Sequence, residues 1–366
     1  MCSKEFTFGE GIEFILKQIS ISPEDRLSFQ EDAQQIENEF VRAICRRDPF
    51  FARAFRGLCL TGSNLNRVKI NLPDEFDMLT KIALPCDIQP VPVAGHSGYI
   101  HLQVGGDDIP LHLTDRLGEY YYINRRKVQT WFRENINAVI PHLNYIRCAG
   151  GRIYELSNQT GGHVAHTIKA RCLTHPGRKI SFDFVPAFEF LASEWPKAFR
   201  KQRLFPNKGR SWYAVPRKIS SSIAEDPLTF IVCAPHWEKM GLEKKQHLKD
   251  ALRLMKALRM ETKILFSYAI KSLFLNATSQ KSINWNQSPG RILIRAVDYM
   301  AMYLRRGFLP FYLVPNANIF ENLAADQRRE CMKISRRIFR RLVKCRDRNC
   351  MTTEDIQFIF GKSLVT

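Results

Sequence analysis

The sequence predicts an α+β fold of two lobes, a mixed β-sheet core with a long N-terminal helix followed by a helical C-terminal lobe. Three observations support this class. A helical pattern opens the chain, short β-branched runs dominate residues 58–190, and mostly helical patterns follow from about residue 195. We find neither an internal repeat nor a low-complexity linker. We therefore divide the chain into residues 1–208 and 209–366, and expect packed lobes with a cleft between them.

The first predicted element is a long amphipathic helix that begins at Ser22. Ser22 is a favourable N-cap, Pro23 suits the first helical position, and Glu24 and Asp25 occupy the first turn. The helix ends in arginines, and basic residues continue past it further than a helix dipole would explain. The predicted nucleic-acid contacts of this region are Arg42, Arg46, Arg47, Arg53 and Arg56.

Two acidic residues follow a small turn early in the sheet region. Gly62-Ser63 precedes Glu75 and Asp77, whose i, i+2 spacing places both carboxylates on one face of a strand. Neighbouring carboxylates repel each other unless a cation lies between them, and Mg²⁺ prefers oxygen ligands. A Gly-Ser turn can offer backbone N–H groups to a phosphate. This combination is what a metal-dependent nucleotidyl transfer requires.

The rest of the sheet region shows alternating or β-branched runs. The predicted elements are strands over 68–70, 77–84, 163–172 and 180–185 and a helix over 120–144. Asp183 lies in an apolar strand, where an unpaired carboxylate is costly, so either a metal ion or an Arg or Lys partner must accompany it. A two-metal site needs a third acid, for which Asp183 is the first candidate and Glu189 the second.

The C-terminal lobe is predicted to be mainly helical. The predicted helices cover 241–260, 263–275, 291–304 and 324–345. Residues 328–348 carry ten basic and two acidic side chains, and Ile334, Ile338 and Leu342 mark an inward stripe. The cationic face of this helix is either simply solvated or a phosphate contact. The basic cluster predicted to contact nucleic acid at the lobe junction contains Lys197, Arg200, Lys201 and Arg203.

The overall charge points to a polyanionic partner. The chain has 55 Lys and Arg against 36 Asp and Glu, a formal charge of +19 and a pI near 9.6. Nucleic acid fits better than an anionic membrane because the basic segments recur along the chain. No apolar run is long enough for a membrane span or a signal peptide. The ten cysteines contain no C-x-x-C pair, so we expect reduced thiols, in the cytosol or the nucleus, and of the two we expect a cytoplasmic protein.

Histidines and a cysteine near the third acid suggest zinc, but the pattern disfavours it. On a strand, His163 and His166 would face opposite sides, as would Cys172 and His175 if the strand continued. We therefore do not expect zinc at these residues.

The motifs together resemble the Mab-21 branch of the nucleotidyltransferase superfamily, and within it the cyclic GMP-AMP synthase-like receptors. The resemblance rests on residues 61–63, 68–70, Pro73, 75–77 and Asp183, and on segments 251–256 and 266–271 of the second lobe. It covers roughly residues 14–313. It implies a bilobal nucleotidyltransferase fold with the N-terminal helix as its spine.

The resemblance also implies roles for individual residues. Glu75, Asp77 and Asp183 would be catalytic and hold two Mg²⁺ ions, with Mn²⁺ as an alternative. Gly62 and Ser63 would grip the terminal phosphates of the donor nucleotide. The remaining implied nucleotide contacts are Lys256, Ser267 and Tyr268, the last by stacking on a base. The substrates implied are ATP and GTP, and the product is cyclic GMP-AMP.

Two departures from the family pattern affect these expectations. The family's zinc-bearing thumb has a His followed by three Cys, whereas residues 226–245 contain only Cys233 and His236, so no zinc thumb is expected. Since that thumb helps grip duplex DNA, we expect duplex RNA as the activator. The family's Trp-Arg pair before the lid is Trp212-Tyr213 here, so Arg210, Arg217 or a stacking Tyr213 would have to recognise the base.

The leading hypothesis is a double-stranded RNA sensor of innate immunity that makes cyclic GMP-AMP. Two alternatives remain open: an RNA-activated synthase of linear oligonucleotides, and a non-catalytic Mab-21-like protein that binds nucleic acid. A dimer assembled on the nucleic acid, the linkage isomer and the base order also remain open.

Overall fold

Within the residues that the structure describes, a mixed sheet of twelve strands is the frame on which the candidate site is built. The computed structural model describes residues 5–143, 145–159, 165–199, 210–219, 225–258 and 267–361. The strands are β1 (Glu5–Phe6), β2 (Phe55–Leu60), β3 (Glu75–Ile82), β4 (Asp87–Pro92), β5 (Tyr99–Gly105), β6 (Thr114–Leu117), β7 (Tyr120–Ile123), β8 (Ile146–Arg147), β9 (Ile153–Gln159), β10 (His166–Cys172), β11 (Lys179–Phe190), β12 (Trp212–Pro216), β13 (Phe230–Cys233) and β14 (Met351–Thr352).

Helices flank this sheet and form the C-terminal lobe. They are α1 (Phe8–Ile19), α2 (Pro23–Arg47), α3 (Pro49–Ala54), α4 (Gly62–Leu65), α5 (Arg125–Val139), α6 (Pro235–Leu242), α7 (Leu248–Ala257), α8 (Ser267–Ser279), α9 (Pro289–Arg306), α10 (Ala325–Asp347) and α11 (Thr353–Phe360). The α+β class, the mixed sheet, the long N-terminal helix and the helical C-terminal lobe are confirmed. The division at residue 208 lies outside the described residues and stays a prediction.

Strand β11 is the centre of the sheet. On one side it runs parallel to β3, which pairs in turn with β2. On its other side β10 pairs with the first half of β11, and β12 pairs with its last residues. From β12 the sheet continues through β13, β5, β7 and β6, and from β10 through β9 and β8. A parallel pair at the centre brings residues that are distant in sequence into register.

Helix α2 spans the sheet and begins as the sequence predicts. The Ser22 side chain accepts a hydrogen bond from the backbone N–H of Asp25, with Pro23 as the first helical residue. Its apolar stripe packs on the sheet, where the rings of Phe40 and Phe184 lie 5.0 Å apart. The carboxylate of Asp32, on the same buried face, forms ion pairs with Arg152 and Arg178 at 2.7 Å each.

The C-terminal lobe is layered around α9. This helix packs against α7 and α8 on one side and α10 on another, with α1 from the N-terminal end also in contact. Strand β1 pairs with β14, so the first and last described strands close on each other. Helices α7 and α8 are therefore held between the sheet lobe and α9, where they can line the cleft.

Three predicted elements are wrong. Residues 68–70 form a loop, because Arg67 and Asn71 on either side have positive φ values of 56° and 66° and turn the chain. The predicted helix over 120–144 begins only at residue 125, since residues 120–123, three tyrosines and an isoleucine, pair with β6 as a strand. The predicted helix over 241–260 is two helices, separated by a turn that contains Lys244 at φ 57°.

Candidate active site

A cavity of about 780 Å³ lies where β3 and β11 meet α4, α7 and α8. Its walls contain both the acidic residues and the residues that were predicted to bind nucleotide. The predicted residues on its walls are Gly62, Ser63, Glu75, Asp77, Asp183, Lys256, Ser267 and Tyr268. Five separate stretches of sequence therefore converge on one cavity.

The three carboxylates meet because of the parallel register of two strands. Asp77 lies opposite Asp183, and Glu75 lies opposite Ser181. Phe76 points the other way into the core, where its ring stacks on Phe182 at 5.8 Å. Each of the three acids offers an oxygen that lies within 4.8 Å of those of the other two. Two residues of one strand and one of the next thus form a single acidic cluster.

Hydrogen bonds hold the cluster in place. The backbone N–H of Thr61 donates to the carbonyl oxygen of Asp77 at 2.7 Å. The hydroxyl of Thr167, on β10, donates to Asp183 Oδ1 at 2.5 Å. Lys69 Nζ forms an ion pair with Glu75 Oε2 at 2.6 Å. Among the described residues, no Lys or Arg pairs with Asp77 or Asp183.

The electrostatics of the cluster suit a cation. Burial, with the neighbouring charges of Glu75 and Asp183, raises the pKa of Asp77 to about 6. A carboxyl that is costly to ionise alone becomes a good ligand when a divalent ion supplies the compensating charge. The donor set is entirely oxygen, which fits Mg²⁺ or Mn²⁺. Of the described residues, only Glu75, Asp77 and Asp183 form a group of three metal-ligating side chains this close together.

Gly62 is required by the close approach of the turn to the acids. Its φ is 63°, and a Cβ atom at this position would lie 1.7 Å from Asp77 Oδ2. The predicted Gly-Ser turn is the short helix α4, whose backbone carbonyl at Gly62 accepts a bond from the Asn66 side chain at 2.7 Å. Any larger residue at position 62 would displace the Asp77 carboxylate.

The helical lobe supplies the opposite wall of the cavity. Lys256 Nζ donates to the carbonyl of Val68 at 3.2 Å. Burial, together with the charge of Lys69, lowers the pKa of Lys256 to about 8. The Tyr268 hydroxyl donates to Glu238 Oε1 at 2.6 Å. Ser267, at the start of α8, is exposed on the cavity wall.

Sequence reasoning missed two residues that orient Tyr268. Glu238, on α6, is buried and accepts both the tyrosine hydroxyl and Lys271 Nζ, each at 2.6 Å. The Lys271 ammonium lies 4.6 Å from the centre of the Tyr268 ring. The sequence offers little signal for Glu238, because it lies before the helix predicted from residue 241.

A second cavity of about 460 Å³ lies beyond Tyr268. The two cavities share Tyr268 and Cys233, and the second also contains Tyr99, Arg217 and Asn318. Of the residues suggested for base recognition, Arg217 therefore has access to a cavity. The stacking alternative for Tyr213 is wrong, because its ring is buried and its hydroxyl donates to Glu189 at 3.2 Å.

Glu189 does not join the acidic cluster. It lies near the far end of β11 and pairs with Lys81 at 3.4 Å. A structural ion pair thus accounts for this second-choice acid.

The predicted nucleic-acid residues lie on the surface where the structure describes them. Along α2, α3 and β2 the exposed arginines are Arg42, Arg46, Arg47, Arg53 and Arg56. Arg42 pairs with Glu39 at 3.1 Å, and Arg56 donates to the carbonyl of Arg53. Lys197 is exposed at the lobe junction, whereas Arg200, Lys201 and Arg203 lie outside the described residues.

The histidine and cysteine group near the third acid is partly described. His166 is buried and its ring packs edge-on against Phe132 at 5.2 Å, while His163 lies outside the described residues. The prediction that Cys172 and His175 face opposite sides required the strand to continue through both residues, and it does not. The strand ends at Cys172 and the chain turns, which brings its Sγ to 3.9 Å from His175 Nδ1.

In the part of the chain that is described, we find no helix with the length and apolar content that crossing a bilayer demands.

Comparisons with known proteins agree with the geometry of this site. The Mab-21 protein nucleotidyltransferase domain matches residues 65–248, and the Mab-21 protein HhH/H2TH-like domain matches residues 247–337. A cyclic GMP-AMP synthase-like receptor of Drosophila eugracilis is 61% identical over 363 residues, which cover 98% of this chain and 97% of the relative. A cyclic GMP-AMP synthase-like protein of Drosophila melanogaster is 34% identical, with 90% of this chain and 91% of the relative covered. The two matching domains and these relatives, together with the acidic cluster, show that this chain belongs to the Mab-21 family of nucleotidyltransferases, among the cyclic GMP-AMP synthase-like receptors.

Proposed function

We propose that this nucleotidyltransferase joins ATP and GTP into cyclic GMP-AMP when double-stranded RNA binds to it. The observation that carries the catalytic part is the convergence of three carboxylates from β3 and β11 on one wall of a cavity. At about 780 Å³, that cavity is in the size range of small-molecule sites. The names of the relatives support the choice of product.

The acidic cluster has one role in this proposal. Two divalent ions held by Glu75, Asp77 and Asp183, in the first instance Mg²⁺, would lower the pKa of the attacking ribose hydroxyl and neutralise charge on the triphosphate. Thr167 and Thr61 keep the acids in place through the hydrogen bonds described above.

Other side chains bind and orient the nucleotides. Gly62 and Ser63 meet the terminal phosphates from the α4 turn, close to the acids. Lys256 places a positive charge on the facing wall, and Ser267 offers a hydroxyl there. Tyr268, oriented by its bond to Glu238, offers an aromatic face on which any base can stack.

The two cavities support a reaction between two nucleotides. They meet at Tyr268, so one base can lie on the catalytic side and the other toward Arg217 and Asn318. Arg217 donors can meet acceptors on a guanine edge, in the geometry that arginine uses with guanine elsewhere.

The charge distribution supports a nucleic-acid activator. The arginines at the end of α2 and in α3 are exposed, namely Arg42, Arg46, Arg47 and Arg53, and the formal charge of +19 favours a polyanion. Lys197 is also exposed and adds a further positive charge. Duplex RNA is recognised mainly by shape and backbone, which suits a basic surface of this kind. In this proposal, RNA binding orders the loop around Gly62 and Ser63 next to the acids.

A product assay tests this proposal. The protein is incubated with ATP, GTP and Mg²⁺ and with duplex RNA, duplex DNA or no nucleic acid, and the products are identified by mass. We expect cyclic GMP-AMP only with RNA, and no product from Asp77→Asn although RNA binding persists. Product from Asp77→Asn would refute the catalytic assignment. A linear oligonucleotide, formed also with ATP alone, would replace the product named here.

A further inference from the structure

A basic groove lies between α9 and α10, in a region that the proposed catalysis does not use. It encloses about 330 Å³. Its lining residues are Asp298, Ala301, Met302, Arg305, Arg336, Phe339 and Arg340. Helix α9 separates it from α7 and α8, which line the catalytic cavity. The groove is therefore distinct from the nucleotide site.

The groove continues into a stripe of cations along α10. Exposed basic residues recur at three- and four-residue spacing from Lys333 through Arg336, Arg340 and Lys344. These positions lie on one face of the helix and span about 16 Å along its axis. Residues 331–346 contain no acid, so nothing within that part of the helix neutralises the stripe.

The groove arginines differ from neighbouring arginines in their partners. On the same two helices, Arg295 pairs with Asp298 at 3.9 Å and Arg346 with Asp347 at 2.7 Å. Arg305, Arg336 and Arg340 form no ion pair with any described residue. The contribution of α10 to folding comes from its other face, where Ile338 and Leu342 are buried. Three exposed guanidinium groups around one groove are therefore left without a counter-charge among the described residues.

The chemistry of the groove fits phosphate oxygens. Guanidinium groups bind phosphate in a bidentate manner, and a linear row of cations matches a charged backbone better than it matches an isolated anion. A membrane-surface helix turns an apolar face toward lipid, whereas the apolar face of α10 packs against the lobe. The outward face of α10 mainly offers charge.

We propose that the α9/α10 groove is a second contact site for the phosphate backbone of duplex RNA. It is separate from the first proposed contact site, the exposed arginines of α2, α3 and β2. This inference rests on the proposed RNA activation. Two basic surfaces on one molecule would make the affinity and its salt dependence larger than either surface alone provides.

The test compares two triple variants that remove the same charge from the same two helices. The groove variant is Arg305→Ala with Arg336→Ala and Arg340→Ala. The control is Arg295→Ala with Arg329→Ala and Arg346→Ala, three arginines that pair with acids. Duplex RNA affinity is measured by fluorescence anisotropy from about 50 to about 200 mM salt. A third variant with lysine at the three groove positions keeps the charge, and thermal unfolding checks that each variant is folded.

We expect the groove variant to bind at least tenfold more weakly, and its slope of log affinity against log salt to be about 2 units shallower than in the parent. The control should change the slope by less than about 1 unit, and the lysine variant should keep most of the slope of the parent protein. Equal slopes for the groove and control variants would overturn the inference while leaving RNA activation intact. A parent protein that neither binds RNA nor responds to it would overturn both. Loss of binding to anionic vesicles alone, with RNA affinity unchanged, would also count against the groove as an RNA site.

Discussion

At the scale of single residues, the absence of a side chain at Gly62 is as important to the site as the presence of three carboxylates. The backbone there has positive φ, and a Cβ atom would overlap Asp77 Oδ2. Gly95 has a similar φ of 76°, but nothing lies within 4 Å of the place where its Cβ would be. Substitutions at Gly62 and Gly95 therefore distinguish the effect of backbone strain from the effect of displacing the Asp77 carboxylate.

We predict that Gly62→Ala lowers the rate of product formation by about a hundredfold or more, since a shift of about 1 Å in a catalytic group has that effect. Gly95→Ala should keep the parental rate. Both variants should lose about 1 kcal/mol of stability from the strained backbone. Product rates and thermal unfolding measure the two effects, and equal rates for the two variants would argue against the site.

His166 should make the folded state sensitive to acid. Burial, with the charge of Arg133, lowers the pKa of His166 to about 4, and its Nε2 has no hydrogen-bond partner in the described part. The folded protein therefore binds this proton less readily than the unfolded chain, whose histidine titrates near 6.5. The stability that the protein has with His166 neutral is fully present above the pKa of the unfolded chain, and it is lost as the pH falls toward the pKa of the folded protein.

We predict that between pH 7.5 and pH 5 this histidine costs the parent roughly 1–2 kcal/mol of unfolding free energy. His166→Phe should lose less stability over the same interval. Urea unfolding of both proteins at the two pH values measures the difference. An identical pH dependence would show that His166 is not held neutral.

At the scale of elements, α2 is fastened to the sheet by a charge as well as by its apolar stripe. Asp32 is fully buried and accepts from Arg152, Arg178 and the hydroxyl of Tyr154. Arg178 also stacks on Phe29 of the same helix at 3.7 Å. Because these arginines immediately precede β9 and β11, the cluster joins the long helix to the starts of these two strands.

We predict that Asp32→Asn destabilises the protein by about 3–5 kcal/mol, because two partly buried arginines lose their counter-charge. Glu39→Gln, which breaks an exposed pair with Arg42 on the same helix, should cost less than about 1 kcal/mol. Denaturant unfolding measures both variants. If the two cost the same, the buried cluster does not anchor α2.

At the scale of the whole molecule, the acidic cluster links ion binding to overall stability. The three acids come from strands at the centre of the sheet, so an ion held there stabilises the folded protein by mass action. At a free Mg²⁺ or Mn²⁺ concentration ten times the dissociation constant, the gain is about 1.4 kcal/mol. For a chain of this length that corresponds to a rise in melting temperature of about 2 °C.

We predict this rise in the parent and its absence in Asp183→Asn, because a neutral amide is a weaker ligand than a carboxylate. Thermal unfolding with and without each ion, and after chelation, measures it. Glu189→Gln, which alters an acid on the same strand outside the cluster, serves as control. A metal-dependent rise that persists in Asp183→Asn would place the ion elsewhere.

Local chemistry made much of this molecule predictable from its residues. The caps and apolar spacing of α2, the alternation in β11 and the inward stripe of α10 are properties of neighbouring residues, and each appears in the structure. The i, i+2 relation of Glu75 and Asp77 follows from the strand repeat in the same way. The loop at 68–70 and the break after α6 could not be predicted, because isolated non-glycine residues with positive φ leave little trace in composition.

The arrangement of the site depended on contacts between distant segments. The residues alone left open whether Asp183 faces an ion or a basic partner. The parallel pairing of β3 with β11 places it opposite Asp77, and Thr167 supplies its hydrogen bond. Likewise, only packing of α6 against α8 sets Glu238 beneath Tyr268, and only packing of α9 against α10 brings Arg305 beside Arg336. Secondary structure is encoded over a few residues, whereas an active site is assembled by pairings across the whole chain, which no short window of sequence contains.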